Sequence, residues 1–309
     1  VAKGAGILGK AFEELGTIIR RRFQMAFKTV LIYLGKLIVC GVVFSIGVIV
    51  GGMIATLMGL STAPMPENIN VSNATMYLFL TSPLLALALV FLARGMAGNF
   101  LTRALILSFL AWIAYTVNTQ LEAAIFTSMA SGFGFSLITF LPACLLSGAA
   151  VACLFPTDNP GTSFIVASKT FFAQRHPVAW TWRLAIATVA FMPIYWVFGL
   201  IVVPFTGDYY RQSMYGLQMP TLDKILTVLA IRSVLFLLAC LPIIVAWQKS
   251  SRSLFLRLGF ALFVLVGLLY MIAADWMPIS VRLPHTLEIL ADEFAYAGVL
   301  VALLKGRER

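Results

Sequence analysis

The chain alternates long apolar runs with short polar interruptions. Eight runs fall near residues 29–59, 76–94, 103–127, 132–155, 182–204, 224–247, 254–275 and 284–304. Each is long enough to cross about 30 Å of hydrocarbon at roughly 1.5 Å per helical residue. The first is overlong and is expected to tilt or to project past the bilayer. Ahead of it, Leu8, Phe12, Leu15, Ile19, Phe23 and Ala26 recur at spacings of three and four, while Lys10, Glu13, Glu14, Arg20 and Arg21 fall mostly on the other side. That pattern predicts an amphipathic helix lying in the headgroup layer with its basic face towards anionic lipid.

The expected fold class is therefore all-α: a polytopic membrane protein, with a bundle of eight transmembrane helices and an N-terminal interfacial helix. The chain divides into residues 1–28, the interfacial helix; 29–305, the transmembrane domain; and 306–309, a tail. Neither a cleavable signal peptide nor an internal repeat is visible in the pattern.

Composition agrees. Hydrophobic residues make up 61% of the chain and charged residues only 11%, far from the quarter usual in soluble domains. A net charge of +10 raises the question of nucleic acid. The distribution of Lys and Arg answers it: the basic residues follow loops, not a patch. With a cytoplasmic N-terminus, only Arg211, Lys224 and Arg282 fall outside, Lys36 and Arg232 lie within spans, and the rest gather inside. Such asymmetry predicts eight crossings, both termini cytoplasmic, in a bacterial-type plasma (inner) membrane, and no nucleic-acid partner.

With that topology, segment 61–75 is an outside loop with sequons at Asn70 and Asn73, and 206–222 is an outside loop carrying Tyr209, Tyr210 and Arg211. Segment 156–177 is expected on the inner face as a turn followed by a short amphipathic stretch. In the first span Gly47, Gly51, Ala55 and Gly59 recur every four residues, a pattern that lets helix backbones approach closely. Prolines at 83, 142, 193 and 242 sit within spans and are candidates for kinks. Cys40, Cys144, Cys153 and Cys240 lie in apolar runs without metal-ligand spacing and read as core-filling residues.

The last run carries the candidate chemistry. His285, Glu288, Asp292 and Tyr296 share one helical face, and Glu293 points about 100° away. The third run brings Glu122 to the same outer layer, with Asn118 one turn before it, and the sixth brings Arg232. A central charge in a span costs roughly 2.5–3.5 kcal/mol when it faces lipid, so these groups must face the interior, pair, take up a proton or hold a cation. Arg232 can neutralise one carboxylate, with Glu122 and Asp292 the available partners. Lys36 reads as a snorkelling residue near the inner interface.

One imidazole among carboxylates is poor zinc chemistry, and the other histidine, His176, belongs to the opposite side, so neither a metal nor another cofactor is expected. No hydrolase, P-loop or dinucleotide signature is present. The favoured expectation is a transporter or channel-like protein for a proton, cation or small polar solute. Its site would be Glu122, Arg232, His285, Glu288 and Asp292, with Tyr209, Tyr210 and Arg211 as outer-loop contacts on a partial lid. The alternatives are a non-catalytic subunit of a larger membrane complex, whose buried charges meet other membrane subunits, and an intramembrane lipid-modifying enzyme.

Overall fold

A computed structural model describes residues 2–63, 71–128, 130–161 and 163–305; of residues 2–22, 24, 71, 72 and 74 it describes the backbone but not the side chains. The fold is all-helical, and among the described residues extended pairing is limited to two isolated bridges, Met96 with Trp247 and Thr127 with Leu217.

Helix α1 (Ala2–Leu57) runs without a break from the N-terminal segment into the first apolar run. The polar face expected over residues 7–22, the sequon at Asn70 and the tail 306–309 lie outside the described residues. Leu60 N–H donates to the Ala55 carbonyl and Gly59 N–H to that of Thr56, with Gly59 at φ +74°, so α1 ends in a left-handed cap that favours glycine. Gly59 is thus a helix terminator. Nothing lies where its Cβ would be, which corrects the expectation that it packs between helices. Gly47, Gly51 and Ala55 do face a neighbour: a Cβ on Gly47 would strike Ala143 and one on Gly51 the Thr139 backbone, both on α5 (Phe133–Leu154), and Ala55 is fully buried. Between helices in lipid, such close approach supplies the van der Waals contact that apolar burial cannot.

The chain continues through α2 (Val71–Ala93) and α3 (Phe100–Ala111), whose first turn Asn99 caps by accepting from Thr102 N–H at 2.9 Å. A π-helical turn, Trp112–Val117, joins α3 to α4 (Asn118–Phe126). After α5 comes the short α6 (Phe164–Ala173), then α7 (Pro177–Val189), with Pro177 in its first turn and His176 as its cap. Helix α7 is interrupted at Ala190 and continues as α8 (Phe191–Arg211). Pro193 accounts for the interruption, because it has no N–H to return to the Val189 carbonyl. This fifth run therefore spans 177–211 where the sequence pattern suggested 182–204, and Tyr209, Tyr210 and Arg211, expected in a loop, belong to helix.

Last come α9 (Leu222–Ala246), α10 (Ser251–Phe263), a π turn at Val264–Leu268, α11 (Leu269–Ala273) and α12 (Ile279–Leu300), which ends in a further π turn at Val301–Lys305. Seven helices among the described residues are long and apolar enough to cross a membrane: Met25–Leu57, Thr75–Ala93, Phe100–Phe126, Ala130–Leu154, Pro177–Arg211, Leu222–Ala246 and Ser251–Ala273. Helix α12 has the length, but Glu288, Asp292 and Glu293 keep it out of that apolar class, so eight such helices were expected and seven are found. Ile32, Ile38 and Ile49 of α1 and Leu200, Ile201 and Phe205 of α8 present apolar surface outward, as a chain bathed in hydrocarbon requires.

At one end of the bundle α2, α5, α9 and α12 all terminate, and cations sit on their carbonyls. Arg103, 2% exposed, donates to Ala93 O at 3.2 Å, Ala152 O at 3.3 Å and Phe155 O at 2.6 Å. Lys36 donates to Leu154 O, Arg257 to Phe91 O, Arg183 to Leu303 O, Arg175 to Leu304 O and Lys305 to Trp247 O, each within 3.0 Å. Helix C-termini leave carbonyls without intrahelical partners and carry the negative end of the helix dipole, so positive side chains satisfy both. The opposite end, where α4, α8 and α11 finish, holds the cavity.

Candidate functional site

Helix α12 begins at Ile279, five residues before the run read from hydropathy, so Asp292 lies about 20 Å along it, near its midpoint. The three-four-four spacing places His285, Glu288 and Asp292 on one wall of a cavity of about 520 Å³ between α4, α8, α9 and α12. His285 Nδ1 is 2.6 Å from Glu288 Oε2, and its Nε2 is 3.0 Å from the hydroxyl of Tyr210 on α8. Both contacts are satisfied when Nδ1 carries the proton and Tyr210 donates to Nε2.

A second group closes the opposite wall. Arg232 of α9, 2% exposed, meets Glu122 of α4 at 3.1 Å and donates through Nε to Asn118 Oδ1 at 2.7 Å. Tyr195 of α8 donates to the other Glu122 oxygen at 3.1 Å, and the guanidinium lies over the rings of Phe191 and Tyr195. Of the two partners open to Arg232 from sequence, Glu122 is the one it meets.

Asp292 and Glu293 are treated differently by the fold. They are 4% and 1% exposed, both line the cavity, and Asp292 Oδ1 and Glu293 Oε2 have no hydrogen-bond partner in the structure. In mid-helix this follows from chemistry: every nearby backbone N–H is already spent on the helix, so a carboxylate finds no local donor.

The segment after α8 covers the mouth. Ser213 (φ 53°), Tyr215 (φ 56°) and Gly216 (φ 71°) turn it in the left-handed region, which is uncommon for residues with a Cβ. It is fastened to the end of α4: Ser128 N–H donates to Gly216 O and Gln218 N–H to Phe126 O, both at 2.9 Å. Leu217 and Met219 from this segment, with Trp276 and Met277 from the α11–α12 connection, line the cavity at this end. Asn73 at the start of α2, the other sequon residue, donates to Asp275 of that connection at 2.9 Å.

All five residues singled out in the sequence, Glu122, Arg232, His285, Glu288 and Asp292, line the cavity. Of the three expected on the outer loop, Tyr210 joins them, Tyr209 instead pairs with Ser280 at 3.0 Å, and Arg211 meets Asp208 at the exposed end of α8. Lys36 is remote from the site, at the other end. Sequence reasoning left Glu293 out of the site, because its face points away from that of Asp292, and passed over Tyr195. The signal for Glu293 was its charge in an apolar run; the signal for Tyr195 appears only once α7 and α8 are placed. Among the described residues no three His, Cys, Asp or Glu side chains converge closely enough to hold a metal ion.

Comparison of the chain with protein-family models, with curated proteins and with solved structures finds no match.

Proposed function

We propose that the chain is an integral membrane transporter or channel-like protein that moves a proton, a cation or a small polar solute through the cavity between α4, α8, α9 and α12. One observation carries this reading: two buried carboxyl groups, Asp292 and Glu293, line a cavity near the middle of a long helix without hydrogen-bond partners for Asp292 Oδ1 and Glu293 Oε2. Intramembrane carboxyls that face a cavity are suited to take up a proton or a positive solute and give it back. Glu122 with Arg232, and Glu288 with His285, hold the walls in register around them.

In this reading α12 is the eighth crossing. Lys36 and Lys305 both lie at the basic end of the bundle, which supports an even number of crossings, and the clustering of cations there supports a cytoplasmic placement of that end and of both termini in a plasma membrane of bacterial type. The N-terminal part of α1 would then follow anionic lipid.

The test is flux. In proteoliposomes holding a trapped pH-sensitive dye, the parent chain is expected to dissipate an imposed proton or cation gradient, and Asp292→Asn or Glu293→Gln to slow it at least tenfold. Full flux in both variants would make the cluster structural and the reading wrong. The 2.6 Å contact of His285 with Glu288 specifically favours a second reading, acid–base chemistry on a lipid held in the cavity.

A further inference from the structure

Two of the four carboxylates that line the cavity are already engaged: Glu122 by Arg232 and Tyr195, Glu288 by His285. Asp292 and Glu293 are left over. Facing them are Glu122 from α4, Arg232 from α9, Tyr195 and Tyr210 from α8, and His285 and Glu288 from α12. One guanidinium thus stands against four carboxylates. An anionic solute would meet that surplus of acid, and a bare divalent ion would need several oxygens converging at roughly 2.0–2.6 Å, which the described side chains do not offer.

The remaining walls are apolar and aromatic, among them Phe126, Tyr195, Trp196, Tyr210 and Trp276. Aromatic faces attract positive charge, most strongly when water is excluded, while also accepting an apolar body. At about 520 Å³ the cavity falls in the range of small-molecule sites rather than of single ions.

Resting on the transport reading above, we infer that the occupant is a monovalent amphipathic organic cation. Its ammonium group sits on Asp292 and Glu293, and its apolar body lies against the rings of Tyr195, Trp196, Tyr210 and Trp276.

The experiment is calorimetric titration of the purified full chain in detergent micelles with two probes of nearly the same shape: benzyltrimethylammonium, and neopentylbenzene, in which carbon replaces the charged nitrogen. Saturable binding of the ammonium, at least tenfold tighter than the carbon analogue, is expected. Asp292→Asn should weaken the ammonium at least tenfold and leave the analogue unchanged. If Asp292→Asn does not fold, Trp276→Leu at the cavity mouth carries the test, with an expected loss of at least threefold for the ammonium. Equal affinity for the two probes, or no saturable binding of either, overturns the inference. Asp292-dependent proton flux without ammonium binding also overturns it while leaving the transport reading intact. Ammonium binding that needs Asp292, without flux of any cation, supports the site and overturns the transport reading.

Discussion

The two ends of this bundle handle buried charge in opposite ways. At one end Arg103, almost wholly enclosed, places its two terminal nitrogens on three carbonyls at the ends of α2 and α5 and leaves only Nε without an acceptor, and five other cations sit on helix-terminal carbonyls nearby. At the other, Asp292 and Glu293 sit in mid-helix, each with a buried oxygen that meets no donor. The difference comes from what a helix offers. Its C-terminus exposes carbonyls, ready-made neutral partners for any positive side chain, whereas its middle has no N–H to spare for a negative one. A buried cation in a helical membrane protein is therefore easily explained by structure, and a buried mid-helix carboxylate is not. That asymmetry turns attention from the many basic residues to two acids.

The contrast can be broken at several points. Arg103→Ala should have the largest effect, a loss of roughly 3–5 kcal/mol, because it strands three helix-end carbonyls that each held a charge-assisted bond. Thermal unfolding in detergent, followed by circular dichroism, would show it, and Arg103→Lys should recover only part. Arg232→Gln comes next at about 3 kcal/mol, the low end for breaking a buried pair, since Glu122 loses its charged partner but is partly exposed and keeps Tyr195. The double variant Glu122→Gln with Arg232→Gln should be more stable than Arg232→Gln alone, and a double variant no more stable than that single would show that the pair is not coupled. Lys36→Met should lose about 1 kcal/mol or less, being one half-buried cation on one helix end. Asp292→Asn should change stability least, by about 0.5 kcal/mol or less, or should raise it, since no partner is lost. If instead Asp292→Asn unfolds the chain as readily as Arg103→Ala, the acid is a structural element after all and the contrast disappears.

Much of the site is legible in the order of residues alone. The three-four-four spacing of His285, Glu288 and Asp292 dictates a shared face, and the depths of Glu122 and Arg232 follow from where their runs begin. Other parts are not legible, for definite reasons. A helical wheel gives the angle of Glu293 but not its surroundings, and α12 is packed by α8 on one side and α10 on another, so a direction away from Asp292 is still inside the bundle. The sequence "TGDYYR" reads as a loop because Gly, Asp and Tyr dilute the apolar run, yet α8 carries it as helix and brings Tyr210 to His285. Ser213 and Tyr215 bear no mark of the left-handed backbone they adopt, and Gly59, which looks like one more small residue in a stripe, serves the backbone of its own helix end.

The π turn at Trp112–Val117 has a consequence for how this chain could be shortened. A π turn accommodates one more residue than the same length of α-helix, so everything after it is rotated by about 100° from where an unbroken ladder would put it. Asn118 and Glu122 both lie after it, while Arg103 lies before it, anchored to the far end of the bundle. Removing one residue between Trp112 and Val117, with Ala114 the smallest side chain of the four, would delete no charge and let a plain α-helix run through, because it removes the residue that the π turn accommodates. Asn118 and Glu122 would keep the angle from which they meet Arg232, whereas straightening the turn into α-helix without a deletion would swing both off it. The π turn and the number of residues ahead of Asn118 together set the phase of that wall of the cavity.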